Sequence, residues 1–383
     1  MDASSASRVI VALSGGVDSA VAALLLKEQG FEVQALHMSN WDDDDGYCTA
    51  AQDLTDARLV ARELSIPLHR VSFAAEYRAR VFEHFLAEER AGRTPNPDVL
   101  CNREVKFGVA LPYVRRLGAE WFATGHYARL LRGPQGIELH QARDRGKDQS
   151  YFLHAVDRTE LEGVLMPLGE LTKEQVRERA RRAGLPVFDK PDSTGICFIG
   201  ERPFREFLAR FVPSAPGPIE SSEGERIGTH CGLPFYTLGQ REGLSIGGRR
   251  GAAQRPWYVA GKDMARNALI AVQGHDHPLL WQSELTTGRM HWLAEPDRTP
   301  RRCAVKVRYR QPDQPALWEP GADGAVHVLF EEPQRAVTPG QYAVLYDGTR
   351  CLGGGVIEQV APDIICPFAA RPAVSRSGAS HDR

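Results

Sequence analysis

The first third of the chain alternates short apolar runs with longer segments of helical period. Residues 8–13 (RVIVAL) predict a buried strand, and residues 17–30 (VDSAVAALLLKEQG) a helix with Gly30 just past its end. The alternation continues with a strand over 31–38, a helix over 49–64, a strand over 68–73, a helix over 75–91 and a strand over 121–126. Apolar strands that alternate with helices predict an α/β fold, a doubly wound parallel sheet covered on both faces.

Near Gly200 the pattern changes. Residues 203–211 (PFREFLARF) predict a short helix, and the glycine-rich turns that follow it, between short extended stretches, predict a small β-rich domain. Residues 302–310, 324–332 and 341–348 alternate apolar and polar positions with period two, as expected of antiparallel strands closing into a C-terminal β-barrel. The expected divisions are 1–202, 203–282 and 283–367, with a polar, disordered tail over 368–383. No repeat of fixed period is present.

At ~150 residues per domain, 383 residues agree with two or three domains. Apolar residues make up 42% and charged residues 25%, a soluble globular composition rather than a disordered or fibrous one. No apolar run approaches the roughly 18 residues of a membrane span, and the N-terminal segment lacks the basic and apolar regions of a secretory signal; a cytoplasmic protein is expected. Seven cysteines, an odd number with no CxxC pair, argue against a disulfide framework and a common zinc motif, so any important thiol should be chemical.

The net charge of −2 excludes a globally basic nucleic-acid binder, yet basic residues cluster locally. Arg301, Arg302, Lys306, Arg308 and Arg310 crowd a predicted strand with no acid among them. Lys173, Arg177, Arg179, Arg181 and Arg182 outnumber Glu174 and Glu178 on a predicted helix. Such patches supply salt-dependent phosphate affinity, although the helical run reads equally as a solvated face of i,i+4 pairs. Arg308 beside Tyr309 is more specific, because a guanidinium next to an aromatic ring suits an unstacked base. The acidic run over 42–45 reads as an exposed loop, with a metal or a partner protein as other uses.

Ser14-Gly15-Gly16-Val17-Asp18-Ser19 lies between the first strand and the first helix, where backbone amides and the positive helix end converge on an anion. It lacks the lysine and spacing of a Walker A loop and is not GxGxxG. The plain alternative is a tight turn capped by Asp18 or Ser19. The loop resembles the PP-loop of the N-type ATP pyrophosphatases, which adenylate an oxygen and release pyrophosphate. That resemblance implies that Ala12, Leu13, Ser14, Gly15, Gly16, Val17, Asp18 and Ser19 hold the phosphates of ATP, with Mg2+. Ligands of such sheets lie beyond the carboxyl ends of the strands, which places Met38 and Gly125 at the adenine; core packing is the other reading of Met38.

Asn96-Pro97-Asp98-Val99-Leu100-Cys101-Asn102 follows a turn and opens a helix, where a thiolate is favoured by the helix dipole. Asp98 is close enough to relay a proton and equally able to cap the helix. Cys197 lies in a glycine-flanked segment, STGICFIG, whose texture favours access over burial. Each cysteine alone also reads as a small buried hydrophobe. Taken in order, ALSGGVDS, NPDVLCNREVKF, GHYAR, KDQSYFL, STGICFIG, VRYRQ and TPGQ closely resemble the bacterial tRNA-specific 2-thiouridylase (MnmA) family over nearly the whole chain.

The resemblance implies ATP-dependent 2-thiolation of uridine 34 in the tRNAs for lysine, glutamate and glutamine, through an adenylated uridine and a protein persulfide. It makes Cys197 the persulfide carrier, Cys101 the nucleophile that releases the sulfur and leaves a Cys101–Cys197 disulfide, and Asp98 a general acid or base. It places Asn96, Pro97 and Asp98 at the target base and His126, Lys147, Asp148, Gln149, Arg308, Tyr309 and Gln341 at the tRNA. It also implies a sulfur donor, a cysteine desulfurase or relay protein. A disulfide needs Cα atoms within about 7 Å, so the Cys197 loop is expected to refold when tRNA and ATP bind. Ser39 departs from the lysine expected after Met38. A monomer is expected. Other PP-loop ligases, among them 4-thiouridine and argininosuccinate synthases and amidotransferase-linked nucleotide synthetases, form the rival enzyme class; the amide-forming ones need no thiol pair. A non-catalytic RNA-binding module would account for the arginines and not for the loop.

Overall fold

The structure, a computed structural model, describes residues 7–41, 50–192, 204–246, 255–294 and 299–362. Cys197, the acidic run over 42–45 and the tail over 368–383 lie outside them. Five parallel strands build the first sheet: β1 (Arg8–Ala12), β2 (Glu32–Ser39), β3 (Leu68–Ser72), β4 (Trp121–Ala123) and, further along, β7 (Val164–Leu165), in the order β3-β2-β1-β4-β7. Period-two side chains divide the sheet cleanly between two cores. Ile10, Ala12, Leu36 and Met38 enter one, Val9, Val11, Leu13, Val33 and Ala35 the other. Helices α1 (Val17–Glu28), α2 (Ala50–Glu63) and α9 (Lys173–Arg182) cover the second core.

Beneath the opposite face run α3 (Ala74–Tyr77) and α4 (Glu83–Arg90), joined by wide i→i+5 turns over Arg78–Phe82. They are followed by α5 (Pro97–Leu100), a second wide-turn stretch over Cys101–Phe107, and α6 (Ala110–Arg116). The helix expected near Asn102 therefore starts at Pro97, and Cys101 sits one turn inside it, away from its mouth. The strand expected over 121–126 ends at Ala123, because the next residues turn to pass against the backbone of Asp18 and Ser19.

A hairpin that the sequence pattern did not reveal, β5 (Ala128–Gly133) with β6 (Gly136–Gln141), leaves this sheet and joins another. After the short helices α7 (Ser150–Leu153), α8 (Arg158–Leu161) and α10 (Phe204–Ala209), a four-stranded sheet forms from β8 (Gly217–Glu220), β9 (Arg226–His230), β10 (Trp257–Asp263) and β11 (Ala268–Gln273). Ile219, Val259, Leu269 and Ala271 fill its small core. The remaining strands are β12 (Trp281–Thr287), β13 (His291–Trp292), β14 (Arg301–Lys306), β15 (Gln314–Pro320), β16 (Val326–Arg335), β17 (Tyr342–Asp347) and β18 (Arg350–Pro362). Pairing in the order β12-β16-β15-β14-β17-β18, closed by β18 on β12, makes a six-stranded antiparallel barrel. Strand β6 adds to β18 at Arg350 opposite His140, which stitches the hairpin to the barrel wall.

The strand expected over 302–310 ends at Lys306, and residues 307–310 turn, fastened by the Val307 amide donating to Gln311 Oε1 at 2.8 Å. Lys306 is not a surface charge. Its ammonium is buried against Asp148, 3.2 Å from Oδ2, and that carboxylate also accepts from the amides of Ala142 and Ser150 and the Ser150 hydroxyl. Asp148 has no exposed side-chain surface, so its role here is to lock the barrel to the α/β unit. Two tyrosines complete the seam: Tyr346 meets the Ser150 hydroxyl at 3.1 Å, and Tyr151 donates to the Tyr342 carbonyl at 3.1 Å.

His154 packs in the same seam, edge-tilted against Tyr342 with ring centroids 4.9 Å apart. Burial lowers its pKa to about 4, against the hydrogen bond to the Tyr151 carbonyl, which acts the other way. The folded state thus disfavours the charged ring. Stability that depends on neutral His154 is fully present above about 6.5 and is lost as pH falls from there through about 4. The expected loss is about 3 kcal/mol. Urea unfolding between pH 7 and pH 4 should show it, and a His154→Phe variant should lose less stability over the same range; an unchanged slope would contradict it. Part of the slope persists in the variant because buried His126 is shifted in the same direction.

Candidate active site

The loop between β1 and α1 turns at Gly15, whose φ of +86° and close backbone approach exclude a side chain: a Cβ there would lie 2.3 Å from the Asp53 carbonyl oxygen. Its hydroxyls face one another. Ser14 Oγ and Ser19 Oγ are 3.1 Å apart, the Ser14 amide donates to Ser19 Oγ at 3.2 Å, and Ser19 Oγ donates to the Gly16 carbonyl at 3.1 Å. Loop amides at a helix N-terminus form a nest for an anion.

Charged side chains hold this loop on both flanks. Lys190 Nζ donates to the Gly15 carbonyl at 3.2 Å and pairs with Asp53 and Asp56 at 2.8 and 2.5 Å. On the other side Asp18 accepts from the Tyr127 hydroxyl at 2.7 Å and from Lys173 at 2.8 Å. Lys173 also reaches Asp192, which in turn pairs with Lys147 and Arg177. Of the basic helical run, Lys173 contacts the loop itself, while Arg177 reaches Asp192 and the carbonyls of Phe188 and Lys190. The others, Arg179, Arg181 and Arg182, pair with Glu28 and Glu178 on an exposed face.

Gly125 passes directly over the loop. A Cβ there would lie 2.7 Å from the Ser19 amide nitrogen, so the strand end and the loop are in backbone contact. The next residue, His126, is buried, and burial together with the Lys106 charge holds its pKa well below 6.5. A neutral ring bonded to an ammonium must accept from it: Lys106 Nζ donates to Nε2 at 3.2 Å, which leaves Nδ1–H to donate to Thr124 Oγ1 at 2.8 Å. Lys106 lies on the Cys101 segment. A short chain of contacts thus runs from the loop through Gly125, His126 and Lys106 to the helix that carries Cys101.

Cys101 is 1% exposed, inside the core that also holds Trp41, Phe207 and Tyr342. Asn102 beside it donates to the Asp98 carbonyl at 3.0 Å and to the Phe152 carbonyl at 3.4 Å. Phe152 packs on Tyr309, ring centroids 4.5 Å apart, so the turn after β14 meets the cysteine helix through one aromatic residue. Arg308, in that turn, donates to the carbonyls of Arg335 and Ala336; burial and Arg335 lower its pKa. Arg301 and Arg302 lie at the exposed start of β14 and pair with Asp347 and Glu331.

The segment before the cysteine helix is gripped by the barrel. Asn96 Nδ2 donates to Gln341 Oε1 at 3.4 Å, and Gln341 Nε2 donates to the carbonyls of Thr94 and Pro95 at 2.8 and 3.2 Å. Pro97 and Asp98 occupy the first helical turn that follows. Of the residues expected at a bound RNA, Asn96 and Gln341 are brought together here. Lys147 is placed on Asp192 beside the loop, Gln149 exchanges hydrogen bonds with the Tyr127 backbone, and Asp148 is internal. At the carboxyl end of β2, Met38 lies in the core, and Asn40, 1% exposed, has neither amide atom partnered among the described residues.

Comparison with known proteins matches most of the chain. Family models described as the tRNA methyl transferase HUP domain, the tRNA methyl transferase PRC-barrel domain and the aminomethyltransferase beta-barrel domain match residues 7–201, 205–273 and 282–357. The tRNA-specific 2-thiouridylase MnmA of Pseudomonas paraeruginosa is 56% identical over 355 residues, 92% of this chain and 94% of that protein. The chain belongs to the MnmA family. The same name is carried by a Marinobacter nauticus protein, 56% identical over 93% of this chain and 92% of its own length. Among solved structures, the U34-tRNA thiolase NcsA of Methanococcus maripaludis superposes with a TM-score of 0.33 at 16% identity, covering 53% of this chain and 63% of that one.

In this MnmA-family chain the site holds residues that the sequence did not single out as its members: Lys106, Tyr127, Phe152, Lys190 and Asp192. Lys173 was visible only as one charge of a basic helical run. A group of three or more metal-ligating side chains is absent among the described residues, as is any helix long and apolar enough to cross a membrane.

Proposed function

We propose that this protein converts C2 of uridine 34 in the tRNAs for lysine, glutamate and glutamine from a carbonyl to a thiocarbonyl, with ATP as the activating substrate. The observation that carries the reading is the contact chain that joins the Ser14–Ser19 loop to a buried cysteine helix, in a chain 56% identical to curated 2-thiouridylases. A ring carbonyl does not exchange oxygen for sulfur unaided. One part of the site must make the oxygen a leaving group, and another must deliver reduced sulfur.

The loop from Ala12 to Ser19 would hold the triphosphate by its amides and by the Ser14 and Ser19 hydroxyls, with Met38 and Gly125 toward the adenine. Asn40 offers an unpartnered donor and acceptor at that same strand end, as an adenine edge requires. Uridine O2 attacks the α-phosphorus, pyrophosphate leaves, and the former carbonyl oxygen becomes part of an AMP leaving group. The Cys101 thiolate attacks the Sγ of a Cys197 persulfide; the S–S bond breaks, the terminal sulfur leaves with the electron pair and bonds to C2, and AMP departs with the oxygen. The cysteines remain as a disulfide that an external thiol reduces. Asp98, one helical turn before Cys101, would move the proton.

Mg2+ on a nucleotide needs only one or two carboxylates besides the phosphates. Asp18 in the loop fits that need, and the ion would neutralise charge on the pyrophosphate. Gln341 and Asn96, with Pro97, would receive the anticodon loop, and Arg308, Tyr309, Lys147, Gln149 and His126 would line its path. A cysteine desulfurase or relay protein would load Cys197. Incubation with ATP and unmodified lysine tRNA should release pyrophosphate only when the tRNA is present, and AMP only when a sulfur donor is added as well; pyrophosphate release that is independent of tRNA, or absent, would reject the reading.

A further inference from the structure

The loop has no lysine of its own, yet a cation stands at its mouth. Lys173, the first residue of α9, places Nζ 2.8 Å from both carboxylate oxygens of Asp18 and 2.6 Å from Asp192. Its side chain is only 12% exposed, and the ammonium lies 6.0 Å from the centroid of the Tyr127 ring, whose hydroxyl donates to the same Asp18. Asp192 collects two further cations, Lys147 at 2.6 Å and Arg177 at 3.1 Å. Burial alone would raise the pKa of Asp192; the hydrogen bonds from Lys147 and Lys173 outweigh it and hold the group at about 2.

Two carboxylates at the rim of a phosphate nest oppose the ligand the nest is built for. Like charges at a few ångströms repel, and the effect is strong where the groups are half-buried. The arrangement is consistent with one outcome when a polyphosphate enters: the cation changes partner. We propose that Lys173 is the phosphate-binding lysine of this site, held by Asp18 and Asp192 until ATP takes it from them. The aspartates act as internal counter-ions that place the ammonium at the loop; Asp18, freed by the exchange, turns to Mg2+, while Asp192 lowers apparent affinity for the nucleotide. Asp192 is thus a positioning residue, whose carboxylate competes with the substrate it helps to receive.

The proposal rests on the loop being an ATP site, and the test separates the two. Binding of Mg-ATP and of adenosine to the full chain is measured by calorimetry or competition for the wild type, Lys173→Met, Lys173→Arg and Asp192→Asn. A wild type that binds no ATP defeats the parent reading. Given wild-type binding, Lys173→Met should weaken ATP by about tenfold or more, the scale of a lost charged hydrogen bond. Lys173→Arg should recover part of the loss, and adenosine affinity should stay unchanged. Asp192→Asn should act with the opposite sign and tighten ATP several-fold, because it removes a competing anion. If the three side chains form only a structural ion-pair network, both kinds of variant weaken ATP and adenosine together. That result, or an ATP affinity unchanged in either Lys173→Met or Asp192→Asn, overturns the proposal.

Discussion

A Cys101→Ser variant should form no measurable 2-thiouridine, a loss on the order of 10³-fold or more, while tRNA-dependent release of pyrophosphate continues. Serine keeps the size of the side chain but is a far weaker nucleophile and cannot close a disulfide. Position 101 is buried in the core, so folding of the variant should be checked by thermal unfolding. Free sulfide in place of a persulfide donor should restore part of the product, since it needs no release from Cys197. Cys231→Ser is the control: that thiol meets the Tyr236 hydroxyl at 3.3 Å beside the small central core, and its loss should leave thiolation intact. Product formed by Cys101→Ser at the wild-type rate with a persulfide donor would remove Cys101 from the mechanism.

A Gly125→Ala variant should raise the KM for ATP by about 10²-fold, because displacement of a positioning group by ~1 Å costs that much in an aligned site. The added methyl would lie 2.7 Å from the Ser19 nitrogen, 2.9 Å from the Asp18 carbonyl carbon and 3.0 Å from the Ser19 Cα. These are backbone atoms of the loop and cannot rotate away, so either the loop or the strand end must move. Gly30→Ala provides the comparison. Its φ is +88°, which strains an alanine, yet nothing lies within 4 Å of the new methyl, so stability falls and the KM for ATP stays constant. Steady-state pyrophosphate release for both variants, beside their thermal midpoints, distinguishes the two effects. Equal KM values for Gly125→Ala and the wild type would show that the loop does not hold the nucleotide.

Local pattern made the α/β framework legible. The strand over 8–12 and the helix over 17–28 differ from expectation by no more than a residue or two at their ends, since an apolar run and a helical period are properties of neighbouring positions. The basic run was expected on a helix and lies on one, Lys173–Arg182; the reciprocal cap of Thr172 and Gln175 that starts it is a finding of the structure. What failed was long-range pairing. The β5–β6 hairpin is half-exposed and carries arginines, so its period is weak, and its partner Arg350 lies far along the chain. The basic run over 301–310 was overcounted for a similar reason: Lys306 looks like its neighbours in sequence, and only the approach of Asp148 makes it internal.

The site divides in the same way. The Gly15 turn and the place of Cys101 near the start of a helix follow from residues next to them. The link between Asn96 and Gln341 joins positions whose side chains carry no special signal, and only the motif resemblance named both. Lys106 and His126 escaped as a pair because neither is unusual alone; burial makes the imidazole neutral, and neutrality makes it the lysine's acceptor. Asp192 stood unmarked beside a motif whose cysteine drew attention.

In the proposed reaction one chain couples ATP cleavage at the Ser14–Ser19 loop to sulfur insertion at a wobble uridine. Nucleoside mass spectrometry of unmodified lysine tRNA, after incubation with the protein, Mg-ATP and sulfide, tests it most directly. 2-Thiouridine should be confined to position 34, formed only with ATP and with one AMP per thiolated base. Pyrophosphate and AMP without any thiouridine would leave the loop as an ATP site and contradict the substrate, and thiouridine formed without ATP would contradict the mechanism.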